Sequence, residues 1–480
     1  MSEFRYAAAS IVLSDDAKPR IMLVRRNPEL RFMGGHHAFP GGSIGEEDRE
    51  AAQVLGLGEA DEIAAIHAAA REVFEETGLL LSEGPLPDLD KVKAARIDVL
   101  NDERPFLDVL GEFGHKLNPE RFVDAGLWVT PKFSPIRFHT RYFMVRHEGP
   151  SYDEVIEGEI VGVDWFTAQE ARRHWRAGDI RISTPIAYVL QHLARMPLPE
   201  VLEPLRRTSV RETGDPARFE MRCGIHLLPL ITPTLPPAQF TNCIVVGEDD
   251  LYIIDPGCHD EREQDHLIEH IDRLIAIGGK PAAIVLTHSH VDHVGGAQRL
   301  REHYGIPLWA HRATDDQLDF RIDRHIEDNE VIEVPGQPSW RLRAVHTPGH
   351  DPGHLAFIEE TTRSLIGGDM IANPGTIVIS QEYGGDMTEY LASIDRLLEE
   401  EFNIIYPSHG MPITKPKDRL QELKAHRLER EAKVKAALEE GHRSIEELLP
   451  VVYADTPKEA WPLATHSLRA HLARLGVDLD

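Results

Sequence analysis

The first third of the chain alternates between the apolar spacing of short strands and that of a helix. Strand-like runs cover 7–13, 20–24 and 141–145. Apolar residues recur at helical spacing from Asp61 to Thr77, and Gly78 stands in the position that commonly ends a helix. From 178 to 207 the pattern is helical and interrupted by proline. This mixture predicts an α/β domain.

The second half shows a different order of elements. Strand-like IVVG and LYIIDPG precede an amphipathic helix, and the buried-strand pattern AAIVL follows at 282–286. A strand, a helix and a strand of these lengths predict a crossover unit in a largely parallel or mixed sheet. Beyond Lys415 the chain is charged and helical in pattern, and the polar stretch 208–217 has the composition of a linker.

These patterns predict an α/β multidomain chain. The expected segments are an N-terminal domain at 1–207, a linker at 208–222, a second domain at 223–415 and a helical tail at 416–480.

Composition narrows the classes of partner and compartment. With 52 basic and 80 acidic residues the formal charge is -28, which opposes stable binding to double-stranded DNA or an anionic membrane. The three cysteines, Cys223, Cys243 and Cys258, form no CxxC pair, which is typical of a reducing compartment. No apolar run approaches the roughly 20 residues of a membrane span. We expect a soluble, cytoplasmic protein, and the sequence leaves its oligomeric state open.

One short segment carries a dense group of metal-ligand residues. His288, His290, Asp292 and His293 lie within six residues, directly after the buried strand AAIVL. Alternate residues of an extended segment point the same way, and the last two begin a helix, so all four can face a common point. This mixture of nitrogen and oxygen ligands suits zinc.

Three further candidate ligands follow apolar runs later in the chain. They are His350 in HTPGH, Asp369 in LIGGD and His409 in YPSHG. A single HxH pair in a chain with 26 histidines is more often surface decoration. The whole ordered series, each member beside glycine or proline, favours a metal site at one end of a sheet sandwich. His346 and His354 are expected to orient other groups or to fill the core.

The motifs HSHVDH, TPGH, GGD and PSHG resemble those of the metallo-β-lactamase superfamily, over about 223–415. The resemblance implies an αββα sandwich with two Zn²⁺ ions that activate water for hydrolysis. One metal would be bound by His288, His290 and His350, and the other by Asp292, His293 and His409, with Asp369 bridging. The resemblance also gives Asp292 a possible role in proton transfer. Asp255 would orient a ligand histidine from outside the site.

Within the superfamily, the segments GTIVIS at 375–380, IIYPSHG at 404–410 and ADTPKEAW at 454–461 resemble the mitochondrial β-lactamase-like endoribonucleases. That resemblance implies cleavage of single-stranded RNA and a small winged-helix-like tail. The chain departs from it by leaving little length for a wing before Asp480. The alternative is thioester hydrolysis of the glyoxalase II kind, for example of acyl-coenzyme A.

The charge of the predicted tail bears on that choice. Between 415 and 435 the chain has a local excess of four positive charges. The basic residues are Lys415, Lys417, Arg419, Lys424, Arg427, Arg430, Lys433 and Lys435. They could guide RNA. The alternative is a solvated helix face, because Glu429 with Lys433 and Glu431 with Lys435 are favourable i,i+4 pairs.

The predicted N-terminal helix carries a second possible metal site. Glu72, Glu75 and Glu76 share one arc of the helix, and such carboxylates repel one another unless a cation lies between them. An exposed glutamate-rich face is the alternative from spacing alone.

The strings FPGG at 39–42 and REVFEETG at 71–78 resemble the box of Nudix hydrolases. The resemblance covers 1–207 and implies an α/β/α sandwich in which these glutamates bind Mg²⁺ or Mn²⁺ and supply the base, while Arg71 orients the helix. The spacing of 29 residues from Gly42 to Arg71 is longer than usual, and Ile63 stands at the box's earlier acidic position.

This long spacing, together with LVRRNPELRFMGGHHAFPGG at 23–42 and WVTPKFSPIRFHTRYF at 128–143, resembles the coenzyme A diphosphatase branch of Nudix hydrolases. That resemblance implies hydrolysis of nucleoside diphosphate-linked substrates such as coenzyme A derivatives. The open alternative is a non-catalytic Nudix module that senses a nucleotide metabolite.

Overall fold

The structure is a computed structural model, and it describes residues 5–30, 33–130, 137–148, 156, 158–206, 219–336 and 339–479. The chain divides into two compact units, Met1–Cys223 and Gly224–Asp480. Each unit has its own hydrophobic core.

The N-terminal unit combines a mixed sheet with helices. Its strands are β1 (Arg5–Ser14), β2 (Ile21–Arg26), β3 (His37–Ala38), β4 (Gly41–Ser43), β5 (Val123–Val129), β6 (Phe138–His147), β7 (Ile160–Phe166) and β8 (Phe219–Arg222). Its helices are α1 (Glu46–Leu55), α2 (Ala60–Thr77), α3 (Leu89–Leu100), α4 (Phe106–Glu112), α5 (Ala168–Ala177), α6 (Thr184–Arg195) and α7 (Leu202–Arg206).

The strand β8 corrects one boundary of the sequence analysis. Phe219–Arg222 were assigned to the linker, but they form a strand, and the buried Glu220 pairs with Arg172 of α5 at 2.8 Å. The remainder of the predicted linker, 208–218, lies outside the described residues.

The first sheet separates two apolar layers. Its strands follow the order β3-β2-β1-β6-β5, and β1 pairs in parallel with β6. Because successive side chains of a strand point to opposite faces, Ala8 and Val12 pack with α2, while Ile11 and Leu13 pack with α5 and α6. Helix α2 ends where the sequence predicts, with Gly78 at φ 77°.

The C-terminal unit contains two sheets and a helical tail. Its strands are β9 (Ile225–Ile231), β10 (Phe240–Val246), β11 (Asp250–Ile254), β12 (Lys280–Val285), β13 (Leu308–Ala310), β14 (Arg324–His325), β15 (Val331–Val334), β16 (Trp340–His346), β17 (Leu355–Glu359), β18 (Ser364–Asn373) and β19 (Ile404–Gly410). Its helices are α8 (Glu261–Ala276), α9 (Val291–Val294), α10 (Ala297–Tyr304), α11 (Arg312–Asp315), α12 (Met387–Glu399), α13 (Pro416–Glu439), α14 (Ile445–Val452) and α15 (Trp461–Arg474).

The two sheets of this unit form a sandwich. One has the order β14-β13-β12-β11-β10-β9 and the other β15-β16-β17-β18-β19. The predicted crossover is present, since α8 connects β11 to the parallel strand β12. The sheets meet where Asn242 of β10 donates hydrogen bonds to the carbonyls of Pro407 (2.8 Å) and Gly410 (2.9 Å) on β19.

A bend in β18 differs from the sequence prediction, which placed Asp369 at the end of a strand. The strand continues to Asn373, and its register with β19 shifts on both sides of Gly368. Gly368 has φ 52°, and a Cβ there would lie 2.3 Å from Nε2 of His354. Only glycine fits this position without strain, and the local irregularity turns Asp369 out of the regular ladder.

The tail consists of α13, α14 and α15, which enclose a small apolar core around Val434, Leu448 and Leu468. Within the described part of the tail, 416–479, there are helices but no strand. None of the described helices is both long enough and apolar enough to cross a lipid bilayer.

We expect Phe74→Ala to destabilise the N-terminal unit by about 3–5 kcal/mol, because removing a fully buried ring leaves a cavity. Phe74 has no exposed surface, and its ring centroid lies 5.4 Å from that of Phe106. Urea unfolding followed by hydrogen exchange of α2 peptides measures the effect. The control is Leu86→Ala at an exposed position, expected to change stability by less than about 0.5 kcal/mol. Equal effects of the two variants would contradict this account of the core.

Candidate metal centres

The segment after β12 presents the first histidines of the predicted series. The strand ends at Val285, and His290 occupies the position before α9. His288 is fully buried, and its Nε2 lies 3.1 Å from Nδ1 of His290. Asp292 and His293 follow within the short helix α9, so the strand-to-helix turn directs all four side chains to one region.

The other three candidates come from the second sheet and surround the same region. His350 follows β16, Asp369 lies in β18 and His409 in β19. The carboxylate of Asp369 lies 3.4 Å from Nε2 of His350, 3.4 Å from Nε2 of His293 and 3.2 Å from Nε2 of His409. Nε2 of His409 is also 3.6 Å from Asp292. The structure thus brings all seven predicted residues together.

The seven side chains form three groups of three, and one of these groups shares members with the other two. In each group the potential ligand atoms lie within 4.8 Å of one another. The groups are His288 with His290 and His350, Asp292 with His293 and His409, and a linking group of His288, His293 and Asp369. This division matches the two ligand sets that the sequence resemblance implies.

Neighbouring groups fix which nitrogen of each histidine faces the cluster. Nδ1 of His350 donates to the carbonyl of Val378 (2.9 Å), and Nδ1 of His409 donates to that of Phe240 (3.0 Å). A carbonyl can only accept, so both rings carry a proton on Nδ1 and direct Nε2 inward, where it can bind a metal ion.

Asp255 fixes the orientation of two further histidines. Its carboxylate accepts from the backbone N–H (2.8 Å) and hydroxyl (2.6 Å) of Thr287 and from Nδ1 of His293 (2.9 Å). Because the Thr287 hydroxyl donates to Asp255, it accepts from Nδ1 of His288 at 2.9 Å. Nε2 of both His288 and His293 therefore faces the cluster, as the orienting role predicted for Asp255 requires, and on His293 a metal ion would take the place of the proton that the nearby carboxylates favour.

These donors fit divalent metal ions. Nε2 of His293, Nε2 of His350 and Oδ1 of Asp369 are buried and have no hydrogen-bond partner among the described residues. Leaving buried polar atoms without a partner is costly. Inward lone pairs and carboxylate oxygens at these separations form the donor set of a metal centre.

The electrostatics of the cluster also favour cations. Burial lowers the pKa of His288 well below its ordinary value, and burial with the neighbouring His350 lowers the pKa of His290 to about 4, so both rings stay neutral. Burial acts in the same direction on His293, but Asp369, Asp292 and Asp255 outweigh it and raise the pKa of His293 well above its ordinary value. The carboxylates therefore draw positive charge into the site.

Two outer contacts concern residues beyond the ligand series. His354, predicted to orient or to fill the core, accepts from the backbone N–H of Asp369 through Nε2 at 2.9 Å. Asp351 was missed by the sequence analysis. It is buried and accepts from the Ser289 hydroxyl at 2.5 Å, which joins the HSH segment to the segment that carries His350. Its position directly after His350 was the available signal.

His346 lies apart from the ligand cluster. Its Nε2 contacts the carbonyl of Pro352 at 2.9 Å, and its ring stacks on His311 with centroids 4.3 Å apart.

In the N-terminal unit, the predicted carboxylates lie on the last turns of α2. Glu72 packs against the backbone of Gly42, where a Cβ would come within 2.3 Å of its carboxylate. This close approach explains the second glycine of FPGG. Burial raises the pKa of Glu72 to about 7, and it raises the pKa of Glu75 and, to a greater extent, that of Glu76. The site therefore favours either protons or a cation beside these groups.

The three glutamates do not converge as tightly as the ligands of the C-terminal unit. They form no set of three ligand atoms within 4.8 Å in the described part of the chain. Arg71 donates to Glu75 at 2.7 Å and lies 3.1 Å from Glu72. One carboxylate oxygen of Glu76 is buried with no hydrogen-bond partner among the described residues, so it is free to bind a cation.

The acidic partner of Arg71 corrects the sequence analysis, which looked for it at position 63. Ile63 is buried in the core. Asp48 on α1 instead accepts from Nε and Nη2 of Arg71, both at 3.1 Å, and from Nδ1 of His67 at 2.7 Å. Asp48 stands six residues after Gly42, so the extra residues lie between Asp48 and Arg71. The spacing from Gly42 was the signal that could have identified it.

Comparison with family models agrees with this geometry in both units. A model of the metallo-beta-lactamase superfamily matches residues 236–409, which include all seven clustered residues. A NUDIX domain model matches 4–184, and a model of the beta-lactamase associated winged helix domain matches 444–478.

Several known proteins are similar to part of this chain. An atrochrysone carboxyl ACP thioesterase from Aspergillus chevalieri is 28% identical over 273 residues, which are 55% of this chain and 78% of the relative. A beta-lactamase-like protein 2 homolog from Drosophila melanogaster is 29% identical, over 51% of this chain and 84% of the relative. The hydroxyacylglutathione hydrolase GloC of Haemophilus influenzae is 30% identical, over 28% of this chain and 68% of the relative.

The fold and the site define a hydrolase of a class that binds divalent metals. The chain belongs to the metallo-β-lactamase superfamily, with an N-terminal Nudix domain and a C-terminal winged-helix domain. The predicted fold class and the predicted fusion are confirmed.

We expect Asp255→Asn to weaken metal binding by the C-terminal unit about 10–100-fold, because an amide cannot replace the three hydrogen bonds that Asp255 accepts. Competition with a chromophoric chelator measures the affinity. The control is Asp265→Asn, which removes an exposed carboxylate that pairs with Arg299 at 2.5 Å. Unchanged metal affinity of Asp255→Asn would contradict the orienting role.

We expect Asp48→Asn to destabilise the N-terminal unit by about 3–5 kcal/mol, since it leaves buried charge on Arg71 without its partner. Burial alone would raise the pKa of Asp48, but hydrogen bonds from His67 and Arg71 lower it. The contribution of Asp48 is therefore full above about pH 4 and declines as the pH falls through its lowered pKa. Urea unfolding at pH 7 and below pH 4 measures both effects, with the exposed Glu50→Gln on the same helix as control. A difference from wild type that grew on acidification would contradict this assignment.

Proposed function

We propose that the C-terminal unit hydrolyses acyl thioesters at a dinuclear zinc site. The observation that carries the proposal is the convergence of His288, His290, His293, His350, His409, Asp292 and Asp369 with inward lone pairs and unpaired oxygens. Two similar proteins are named as an atrochrysone carboxyl ACP thioesterase and a hydroxyacylglutathione hydrolase, and this supports the choice of thioesters.

The charged tail argues against RNA as the substrate. Seven of the eight basic residues between 415 and 435 already contact acceptors within the unit. The contacts are Lys417 with the carbonyls of Leu398 and Glu400, Arg419 with Glu422, Lys424 with Asp395, Arg427 with the carbonyl of Ile377, Arg430 with Asp455, Lys433 with Glu429 and Asp455, and Lys435 with Glu431. Cations with internal partners gain less from phosphates, since counterion release on RNA binding depends on exposed charge.

The side chains of this site supply the elements of hydrolysis. When bound, two Zn²⁺ ions would activate a water molecule and polarise the thioester carbonyl. Asp292 is partly exposed at the cluster and accepts from the Thr241 hydroxyl at 3.3 Å, so its carboxylate is placed to take and return a proton. Asp255 and the carbonyls of Val378 and Phe240 keep the histidine rings in one orientation throughout the reaction.

For the N-terminal unit we propose hydrolysis of nucleoside diphosphate-linked compounds such as coenzyme A derivatives, with Mg²⁺ or Mn²⁺ at Glu72, Glu75 and Glu76. Oxygen donors of this kind are those that these metals prefer. The unpaired oxygen of the buried Glu76 is the observation that supports a cation there. Glu72 lies beside Gly42 and Arg71, Glu75 pairs with Arg71, and the charge of Glu72 raises the pKa of Glu76, so a cation would relieve the repulsion among the three.

We expect the two activities to separate by mutation. Wild type, His290→Ala and Glu76→Gln are incubated with acyl-coenzyme A, coenzyme A and a short single-stranded RNA, and the products are identified by mass. His290→Ala should lose free-thiol release from acyl-coenzyme A by more than about 100-fold and keep magnesium-dependent cleavage of the diphosphate. Glu76→Gln should show the reverse. The matched control is Glu62→Gln, an exposed position on the same helix.

The same screen distinguishes the alternatives. If wild type cleaves RNA but not the thioester, and His290→Ala does not cleave RNA, the endoribonuclease hypothesis would replace the proposal. Tight binding of coenzyme A without cleavage in wild type would identify the N-terminal unit as a sensor. Thioester cleavage that persists in His290→Ala would refute the assigned site.

A further inference from the structure

One wall of the metal cluster is formed by the segment 374–383, which follows β18. Its Val378 carbonyl accepts from Nδ1 of His350 and so directs the other nitrogen of that ring inward. Tyr383 lies at the end of the segment, with its ring centroid 5.9 Å from that of His290. The segment thus touches two members of the first ligand group and contains no regular strand or α-helix.

Helices of the tail fasten this segment by its backbone. Arg427 of α13 donates to the carbonyl of Ile377, the residue before Val378. Eight residues earlier on the same helix, Arg419 donates to the carbonyl of Gly375 in the segment and to that of Ala372 in β18, the latter at 3.1 Å.

A third contact comes from α15, where Nδ1 of His466 lies 2.9 Å from the hydroxyl of Ser380. The wall is therefore attached to the tail before and after Val378.

A second series of contacts links Arg427, through Tyr390, to the backbone next to Asp369. It is 4% exposed, and its guanidinium lies over the ring of Tyr390, 5.4 Å from the centroid. The Tyr390 hydroxyl donates to the carbonyl of Met370 at 2.8 Å, next to Asp369. Arg427 thus supports the backbone beside His350 and beside Asp369.

We propose that Arg427 is a positioning residue of the metal centre, which makes the tail a part of the hydrolytic site. It holds the carbonyl of Val378 where Nδ1 of His350 needs it and thereby sets the geometry of the first ligand group. The inference rests on the proposed metal site and does not depend on which substrate is cleaved. Loss of an outer contact of this kind typically weakens metal binding by about 10–100-fold.

The contrary interpretation is that Arg427 only fills space between the tail and the sandwich. Arg430, three residues later on the same helix, provides the matched comparison. It is 7% exposed and donates to the carbonyl of Val452 and to Asp455, both within the tail. Arg427→Met and Arg430→Met remove the same charge at similar burial, but only the first removes a contact with the wall of the site.

The test measures Co²⁺ binding to the full chain by chelator competition and by the visible absorption of bound Co²⁺. Wild type should bind two ions per C-terminal unit. Arg427→Met should weaken one of the two sites about 10–100-fold and alter its absorption, while Arg430→Met should retain both sites. Arg427→Lys keeps one donor toward Ile377 and should recover most of the affinity. Thermal unfolding reports whether the two methionine variants lose similar stability.

The outcomes separate the two levels of inference. Binding of fewer than two Co²⁺ ions by the C-terminal unit of wild type would refute the proposed metal site itself. Two intact sites in Arg427→Met, or equal losses in Arg427→Met and Arg430→Met, would overturn the positioning role alone. If Arg427→Met does not fold, Arg419→Gln decides, since from a less buried position it removes one bond to the same segment and one to the adjoining end of β18. Wild-type affinity in that variant would overturn the proposal.

Discussion

The buried carboxylate of Asp369 is the charge on which the C-terminal unit depends. Its oxygens lie within 3.4 Å of the inner nitrogens of His293, His350 and His409. Burial alone would raise the pKa of Asp369, but His409 and His293 lower it well below its ordinary value. A buried anion is costly in a protein unless cations join it, and here protonated histidines or metal ions can meet that requirement. The strand ends and loops of both sheets are arranged around that requirement.

The N-terminal unit meets a similar problem with internal cations. Arg71 lies between Asp48, Glu72 and Glu75 and balances much of their charge within the protein. This pairing leaves Glu76 as the carboxylate without such a partner. The two units therefore differ in how closely their carboxylates are arranged for binding a metal ion. In one the ligand atoms already converge, and in the other a cation would have to draw Glu72 and Glu76 toward itself.

The sequence allowed prediction of those site residues that stand in a recognisable local pattern. The ligand series was recognisable because its members come after apolar strand-like runs and because the motifs around them resemble those of the metallo-β-lactamase superfamily. Asp48 was not predicted as the acidic partner of Arg71, because extra residues separate the two. Counting back from Arg71 leads to Ile63 instead. The bend at Gly368 was also not predictable, since a glycine in a strand pattern does not reveal whether φ is positive.

The sequence also did not reveal which groups the basic side chains of the tail contact. Composition gave an excess of positive charge on α13, and i,i+4 spacing accounted for Lys433 and Lys435 only. Carbonyl groups carry no signature in a sequence, so nothing indicated that Arg419 and Arg427 would face the segment beside the metal cluster. Guanidinium groups suit this role because several N–H donors spread over a plane can satisfy separate backbone acceptors at once. Part of the local basic charge of a strongly acidic chain thus serves an irregular segment whose carbonyls require donors. Arg419 and Arg427 belong to the architecture of the site, and most of the other basic residues of α13 pair with acceptors elsewhere in the unit.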